Sequence, residues 1–416
     1  MTIRKPLSSA IAVALAGTIS APSFAQLTLE QRITQLEREN ARQAAQIAEQ
    51  QQTLSAQAAS GAPQRVGKLQ DALQRGEGGG WFEGIEIGGV IEVEASYLDP
   101  YVGDSTSDLV LATFELGIAS QINDWVGIEA SLLYEEDDTD LEVDLAFVTI
   151  HHPEASPVFF TAGQFYVPFG AYETNLVSDP LTLEIGETRE TAAQLGFIHE
   201  GFTGSVYAFN GDHNVKGDDR IDSWGANLGY ALETDEYTVA VGAGYLNALG
   251  DSDTLQDSVA DNRADAYQAL VDGGDPRANW FSTDPTERTG GWTANLGVAV
   301  GGFNFIAEYL AASERFDADS LAYKNKGAEP SAWNIEIGYS FPVFGRDSVA
   351  ALAYQGTDEA VALELPKTSW LVGWSVEIFE RTALSLEYRN DSDYSLREGG
   401  TGKDASAVVA QLAVEF

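Results

Sequence analysis

The chain predicts an all-β transmembrane barrel of about sixteen antiparallel strands, preceded by a short N-terminal α-helical coiled coil. Three observations carry this. The stretch Lys403 to Phe416 alternates, with Val408, Ala410, Leu412, Val414 and Phe416 on one face and mostly small or polar residues between them. The same period-two pattern repeats from Gly84 onward. Its connections alternate long and short, as barrel loops and turns do. A span closed on itself leaves no backbone group unpaired in lipid, which is why alternating strands and not open sheets cross membranes.

At the N-terminus, Arg4 and Lys5, the apolar run Leu7 to Ile19 and the small residues around Ser23-Phe24-Ala25 read as a cleaved secretory leader over 1–25. Residues 26–57 read as a periplasmic coiled coil. Leu29, Ile33, Leu36, Asn40, Gln43, Ile47, Gln50 and Leu54 recur at spacings of four and three, and the polar seam positions fix register or oligomer number. The expected assembly is a homotrimer, and heptads of this length also suit a dimer. Residues 58–80 form a Gly-rich linker. The barrel is expected over 81–416, opened by Trp81-Phe82.

The first strand (84–97) places Ile85, Ile87, Ile91, Val93, Ala95 and Tyr97 outward. The second (109–120) places Val110, Ala112, Phe114, Leu116 and Ile118 outward, with Thr113 and Glu115 inward. The third (125–135) puts Val126, Ile128, Ala130, Leu132 and Tyr134 outward. Later strands repeat the scheme through Trp333–Phe341, Trp370–Ile378 and Leu384–Tyr388. Long connections are expected near 98–108, 136–141, 166–191, 211–221, 249–288, 315–330, 356–366 and 391–403. Short turns are expected between them, including 122–124 and 152–156. Eight long loops and seven turns make sixteen strands, a size that encloses an aqueous lumen.

Composition narrows the function. There are 64 acidic against 23 basic residues, no cysteine and a formal charge of −41, which becomes −43 once Arg4 and Lys5 are removed. Such a chain does not bind nucleic acid non-specifically and favours cations. No cofactor and no metal site is expected. Acidic runs such as Glu135–Asp140, Gly211–Asn214 with Gly217–Asp219, and Asp251–Asp253 lack the spacing of a helix–loop–helix calcium site. The four histidines, His151, His152, His199 and His213, have no evident serine partner, and no Gly-x-Ser-x-Gly elbow is present, so no enzyme is expected.

Two groups of site residues emerge. Glu86, Glu92, Glu94, Glu115, Glu129, Glu308, Glu336, Glu377, Glu387 and Arg389 alternate with outward apolar residues and are the expected channel lining. Inward carboxylates concentrate cations and repel anions. The third long loop, Gly163 to Glu190, is unusually apolar, and Pro168 and Gly170 end the strand and turn the chain. Folded inward it would narrow the pore, with Pro168, Phe169, Gly170, Glu173, Asn175, Asp179, Glu184, Glu187, Arg189 and Glu190 at the constriction. Left outside, it would be a lid.

Gly163-Gln164-Phe165-Tyr166-Val167-Pro168-Phe169-Gly170 resembles a motif that recurs at this point in several porin families. The runs Val177–Glu184 and Gly186–Glu190, with Gly88–Ala95 and Tyr207–Asp212, are similar to the LbtU-type siderophore porin family of Gram-negative outer membranes. That resemblance implies an outer-membrane location and uptake of a ferric siderophore or other metal chelate without an energy-coupled plug. A general cation-preferring porin, a structural anchor and a surface receptor remain as readings of the residues themselves.

Overall fold

The computed structural model describes residues 85–136, 139–212, 215–217 and 220–416. The predicted leader, coiled coil, linker and Trp81-Phe82 lie outside the described residues. Sixteen strands close one antiparallel barrel: β1 (Ile85–Asp99), β2 (Thr106–Gln121), β3 (Val126–Glu135), β4 (Thr139–Ile150), β5 (Val158–Tyr166), β6 (Arg189–His199), β7 (Phe202–Phe209), β8 (Ser223–Glu233), β9 (Tyr237–Leu246), β10 (Gly291–Val300), β11 (Phe303–Ala312), β12 (Ser331–Val343), β13 (Arg346–Asp358), β14 (Thr368–Phe379), β15 (Thr382–Ser392) and β16 (Asp404–Glu415). Each strand pairs with its sequence neighbours, and β1 pairs with β16. Two helices lie in connections, α1 (Leu181–Gly186) and α2 (Asp253–Asp272).

The closing seam shows why the terminal alternation matters. Val90 pairs with Glu415 and Ile91 with Val414. Gly89 and Phe416 then exchange both backbone hydrogen bonds, each 3.1 Å. The Phe416 ring lies over Gly89, where a β-carbon would stand 2.7 Å from it. Gly89 therefore provides the flat ground on which the last ring packs, and the sheet has no free edge.

The outward face is aliphatic through its middle and aromatic toward both rims. At the long-loop rim Trp224 packs on Tyr245, Trp292 on Tyr309 and Tyr354 on Trp370, with ring centroids 5.4, 5.1 and 4.1 Å apart. At the other rim Phe202 meets Tyr230 and Phe303 meets Tyr339, each at 4.5 Å. Aromatic rings with one wet edge suit the two membrane interfaces. Two of the two-residue turns at that rim, Glu200-Gly201 and Phe344-Gly345, have positive φ at both positions, the backbone that matches strand twist.

The structure corrects the expectations at four places. In β2, Glu92 pairs with Thr113 but Val93 pairs with Leu111, so Ala112 is an extra, bulged residue. The bulge shifts the alternation by one. Val110 turns inward opposite Glu94, while Leu109 and Leu111 take the outward places expected of Val110 and Ala112. A second bulge leaves Ile378 between the paired Glu377 and Phe379. The loop expected over 136–141 is a three-residue connection, because β4 begins at Thr139, and the turn at 151–157 on the opposite rim is longer. The acidic run Glu135–Asp140 hides the strand start in the sequence. Lastly, the long connection expected over 249–288 contains the twenty-residue helix α2.

Candidate functional site

The connection between β5 and β6, residues 167–188, runs inside the barrel. It leaves β5 at Tyr166 and passes the β9 wall, where the Phe169 carbonyl lies against Gly244. It then lies along β11 to β15, turns back near Pro180 and returns through α1. Inward carboxylates hold it. Glu308 on β11 accepts hydrogen bonds from the backbone N–H of Ala171 (2.8 Å) and Tyr172 (2.9 Å), and from the hydroxyls of Thr182 and Thr293. Glu336 on β12 accepts from the Thr174 hydroxyl (2.7 Å), and from the Asn175 backbone (2.7 Å) and side chain (2.6 Å). Glu387 on β15 accepts from the Val177 and Ser178 backbone and from the Ser178 hydroxyl (2.5 Å). Gln355 on β13 accepts from the Leu181 N–H. Between these clasps Leu176 packs with Ala351, Ala353 and Leu371.

A loop crossing a lumen carries backbone donors that find no sheet partner, and a buried donor left unpaired costs about 1–3 kcal/mol. Ionised carboxylates are strong acceptors, so a wall of glutamates satisfies the loop. Glu308, Glu336 and Glu387 thus face inward, as the alternation requires, but the loop covers them.

The remaining expected residues divide between loop, sheet and rim. Pro168, Phe169 and Gly170 are buried in the first turn of the loop, and Phe169 joins a large apolar cluster. Asp179 and Glu184 are buried, and Asn175 and Glu187 half-buried. Arg189 and Glu190 belong to β6 and not to the loop. Arg189 pairs with Glu142 (2.5 Å) and Asp144 (3.1 Å), and Tyr166 donates to Asp144 (2.7 Å). Glu377 accepts from the Arg381 backbone near the short-turn rim, and Arg389 pairs with Asp391 (2.9 Å).

Glu173 is different. It points toward β10, where its Oε2 would lie 3.7 Å from a β-carbon on Gly297, and its Oε1 has no hydrogen-bond partner among the described residues. Burial, with Glu308 and Glu336 beside it, pushes its carboxyl up to about 7.

Above the loop lies a roof. Leu255 and Val259 of α2 join Leu183 and Ile185 of α1, Phe316 and Leu321 of the next long connection, and Leu363 of the one after it. Arg263, buried on α2, donates to the Ser282 and Thr283 carbonyls and to the Ser320 hydroxyl, and stands over the Phe281 ring at 5.4 Å. One guanidinium therefore joins two connections. Asp253, at the start of α2, accepts from the Arg189 N–H, and its own N–H donates to the Glu187 carbonyl. Burial raises its carboxyl to about 7 against the opposing pull of Arg189. Replacing Arg263 with Ala is expected to cost the roof about 3 kcal/mol, because three acceptors lose a charged donor. Faster hydrogen exchange over 253–290, with barrel amides unchanged, is the readout.

This roof was not expected from the sequence. Its signal was present: Leu255, Val259 and Arg263 recur every four residues, and Gly273-Gly274 come directly after the helix.

Opposite the loop the lumen is of two kinds. On β6 to β8 it is neutral, with Gln194 donating to Ser205 (2.8 Å) and Ser205 to Asn227 (2.5 Å). On β1 to β3 it is acidic, carrying Glu86, Glu92, Glu94, Glu115 and Glu129. Among the described residues no three His, Cys, Asp or Glu side chains stand together as a metal site.

No protein-family model matches the chain. It is 28% identical over 361 residues to a UPF0422 protein of Legionella pneumophila (strain Lens), covering 80% of this chain and 66% of that protein. It is 28% identical over 343 residues to a UPF0422 protein of Coxiella burnetii, covering 79% and 69%. The chain thus spans 66% of the length of that Legionella relative. Among solved structures it is similar to Pseudomonas putida OprB (TM-score 0.54, 10% identity, 80% of this chain and 94% of that one). It is also similar to the outer-membrane channel DcaP of Acinetobacter baumannii (0.52, 12%, 82% and 99%). A third is an anion-selective porin from Comamonas acidovorans (0.51, 13%, 80% and 99%). What these likenesses establish is the architecture: a closed sixteen-stranded barrel of the kind found in outer-membrane porins.

Proposed function

We propose that the protein is a Gram-negative outer-membrane porin. In this reading it forms a water-filled, acid-lined diffusion channel narrowed by the loop at 167–188, and it prefers cations. The observation that carries the reading is the inward loop, clasped to β11–β15 by Glu308, Glu336 and Glu387 while β1–β3 present further carboxylates across the lumen. A loop held by so many charge-assisted bonds is a fixed constriction, and the surplus of carboxylates sets its selectivity. The name of the Comamonas neighbour describes that protein; the charge of this chain favours the opposite sign.

Within this function, the resemblance to siderophore porins favours a ferric siderophore or other metal chelate as solute. An acidic lumen repels polycarboxylate chelates, so a neutral or cationic chelate fits best. In the same reading the coiled-coil seam of 26–57 lies in the periplasm and clasps a homotrimer of outer-membrane barrels. Replacing Ile33 and Leu36 with Asp is expected to dissociate it while leaving channels.

Single-channel recording in a planar bilayer under a KCl gradient tests the function. Stable steps with a cation-selective reversal potential are expected, with ferric chelates then titrated as blockers. Anion selectivity would refute the acid-lined lumen. Absence of conductance would favour a closed anchor or receptor.

A further inference from the structure

The short-turn rim of the barrel is acidic along most of its length, with Asp124, Glu154, Glu200, Glu233, Asp235 and Glu236 in its turns and strand ends. Among the described residues it carries two Lys or Arg side chains. Arg346 begins β13, and Arg381 lies in the turn between β14 and β15. Both stand on one arc, because β13, β14 and β15 are neighbours in the sheet. Neither guanidinium has a hydrogen-bond or ion-pair partner among the described residues.

Strand register separates these bases from the acids near them. Val343 pairs with Arg346, and Phe341 with Ser348, so Arg346 stands on the lipid face beside Phe341 and Val343. Asp347, Glu377 and Glu415 occupy the alternate positions, which face the lumen. Glu377 is buried there and accepts from the Arg381 backbone. Glu380, exposed at the tip of its turn, is the acid left beside the two bases.

The same arc is aromatic beyond the girdle. Tyr339 and Phe341 stack with their centroids 5.7 Å apart. β12 runs on past the β10–β11 turn, where the Ser340 N–H donates to the Gly302 carbonyl, and ends at the Phe344-Gly345 turn. Phe344 is 102% exposed, and Phe379 at the end of β14 is 65% exposed. Phe344 also holds φ at 53°, a conformation that suits Gly or Asn better than a bulky side chain. A ring so placed gains nothing from its own chain, and it gains from apolar surroundings outside it.

We propose that this arc of the short-turn rim binds an anionic phospholipid of the adjoining leaflet. Arg346 and Arg381 take its phosphodiester, and Phe341, Phe344 and Phe379 form the apolar edge of the site. A guanidinium fork matches phosphate oxygens in shape and charge. The two arginines stand within two strand spacings of each other, roughly 10 Å, which two long side chains can close around one headgroup. The acids along the rest of the rim repel such headgroups, so the bound lipid is confined to this arc. The inference rests on the barrel standing in a membrane and not on its conducting.

The chain has no cysteine, so a single label can be placed at will. Val343→Cys, on the lipid face beside Arg346, carries a bimane. Ile128→Cys, exposed near the same rim on β3, is the control. Full-length protein is reconstituted in phosphatidylcholine discs with brominated phosphatidylglycerol or brominated phosphatidylcholine as quencher. At Val343→Cys phosphatidylglycerol is expected to be favoured roughly tenfold, the effect of two bases beside an anionic headgroup, with no such preference at Ile128→Cys. R346Q/R381Q is expected to abolish the preference, and R346K/R381K to keep most of it. F344N, whose side chain tolerates the turn, is expected to lose part of it; an unchanged preference would overturn the part given to that ring. Equal preference at the two positions, or a preference that survives R346Q/R381Q, would overturn the proposal. Soluble glycerol phosphate competing as well as the lipid would assign the arginines to a free phosphate and overturn the lipid assignment. Labels that neither brominated lipid quenches would place the protein outside the bilayer, which overturns the membrane reading together with this one. A silent planar bilayer alongside selective quenching would remove the porin reading and leave this site standing.

Discussion

E308A/E336A/E387A is expected to release the inward loop and raise single-channel conductance several-fold. The three carboxylates accept hydrogen bonds from five loop backbone N–H groups, those of Ala171, Tyr172, Asn175, Val177 and Ser178, besides hydroxyl and amide side chains. At about 1 kcal/mol or more for each buried donor left unpaired, the docked state loses on the order of 5 kcal/mol. The barrel itself is held by strand ladders that do not involve these groups, so it stays folded. Chymotrypsin provides a readout independent of conduction. Phe169 and Tyr172, buried in the parent protein, become cleavable in the variant. A loop that remains protected, with conductance unchanged, would show that apolar packing around Leu176 and the roof suffices to hold it.

The second large effect is on pH. The Glu173 carboxyl is raised to about 7 by burial and by neighbouring Glu308 and Glu336. A carboxyl whose folded value lies above its ordinary one binds its proton more tightly when the loop is docked. Docking is therefore most favourable in acid and loses stability as the pH rises from about 4.5 through about 7, by up to about 3 kcal/mol in all. Loop protection is expected to be greater at pH 5 than at pH 8. E173Q, neutral at every pH, is expected to hold the loop at pH 8 as firmly as the parent holds it in acid and to abolish the slope. An unchanged slope in E173Q would transfer the titration from the loop to the roof, with Asp253 the first to replace.

Much of the barrel was readable because alternation is local. Each strand states its own two faces, and the residues that state them, such as Ile335, Ile337 and Tyr339 against Asn334 and Glu336, sit side by side in the chain. Strand number emerged from counting such stretches. Single-residue bulges were not readable: Ala112 has nothing unusual about it, and only the pairing of Val93 with Leu111 reveals that it is extra. Helix α2 was readable in retrospect from its four-residue spacing, which the surrounding acids obscured.

The sequence by itself determined which carboxylates turn inward; the tertiary structure decided what each of them meets there. Glu308, Glu336 and Glu387 look the same in sequence as Glu92 or Glu115, each an acid between outward apolar residues. Their different surroundings come from a loop that binds them across 137, 161 and 210 residues of chain. Period-two patterning acts between neighbours and is legible one strand at a time. The path of a loop through a lumen depends on donors and acceptors brought together only when the barrel closes, and no local pattern encodes that meeting.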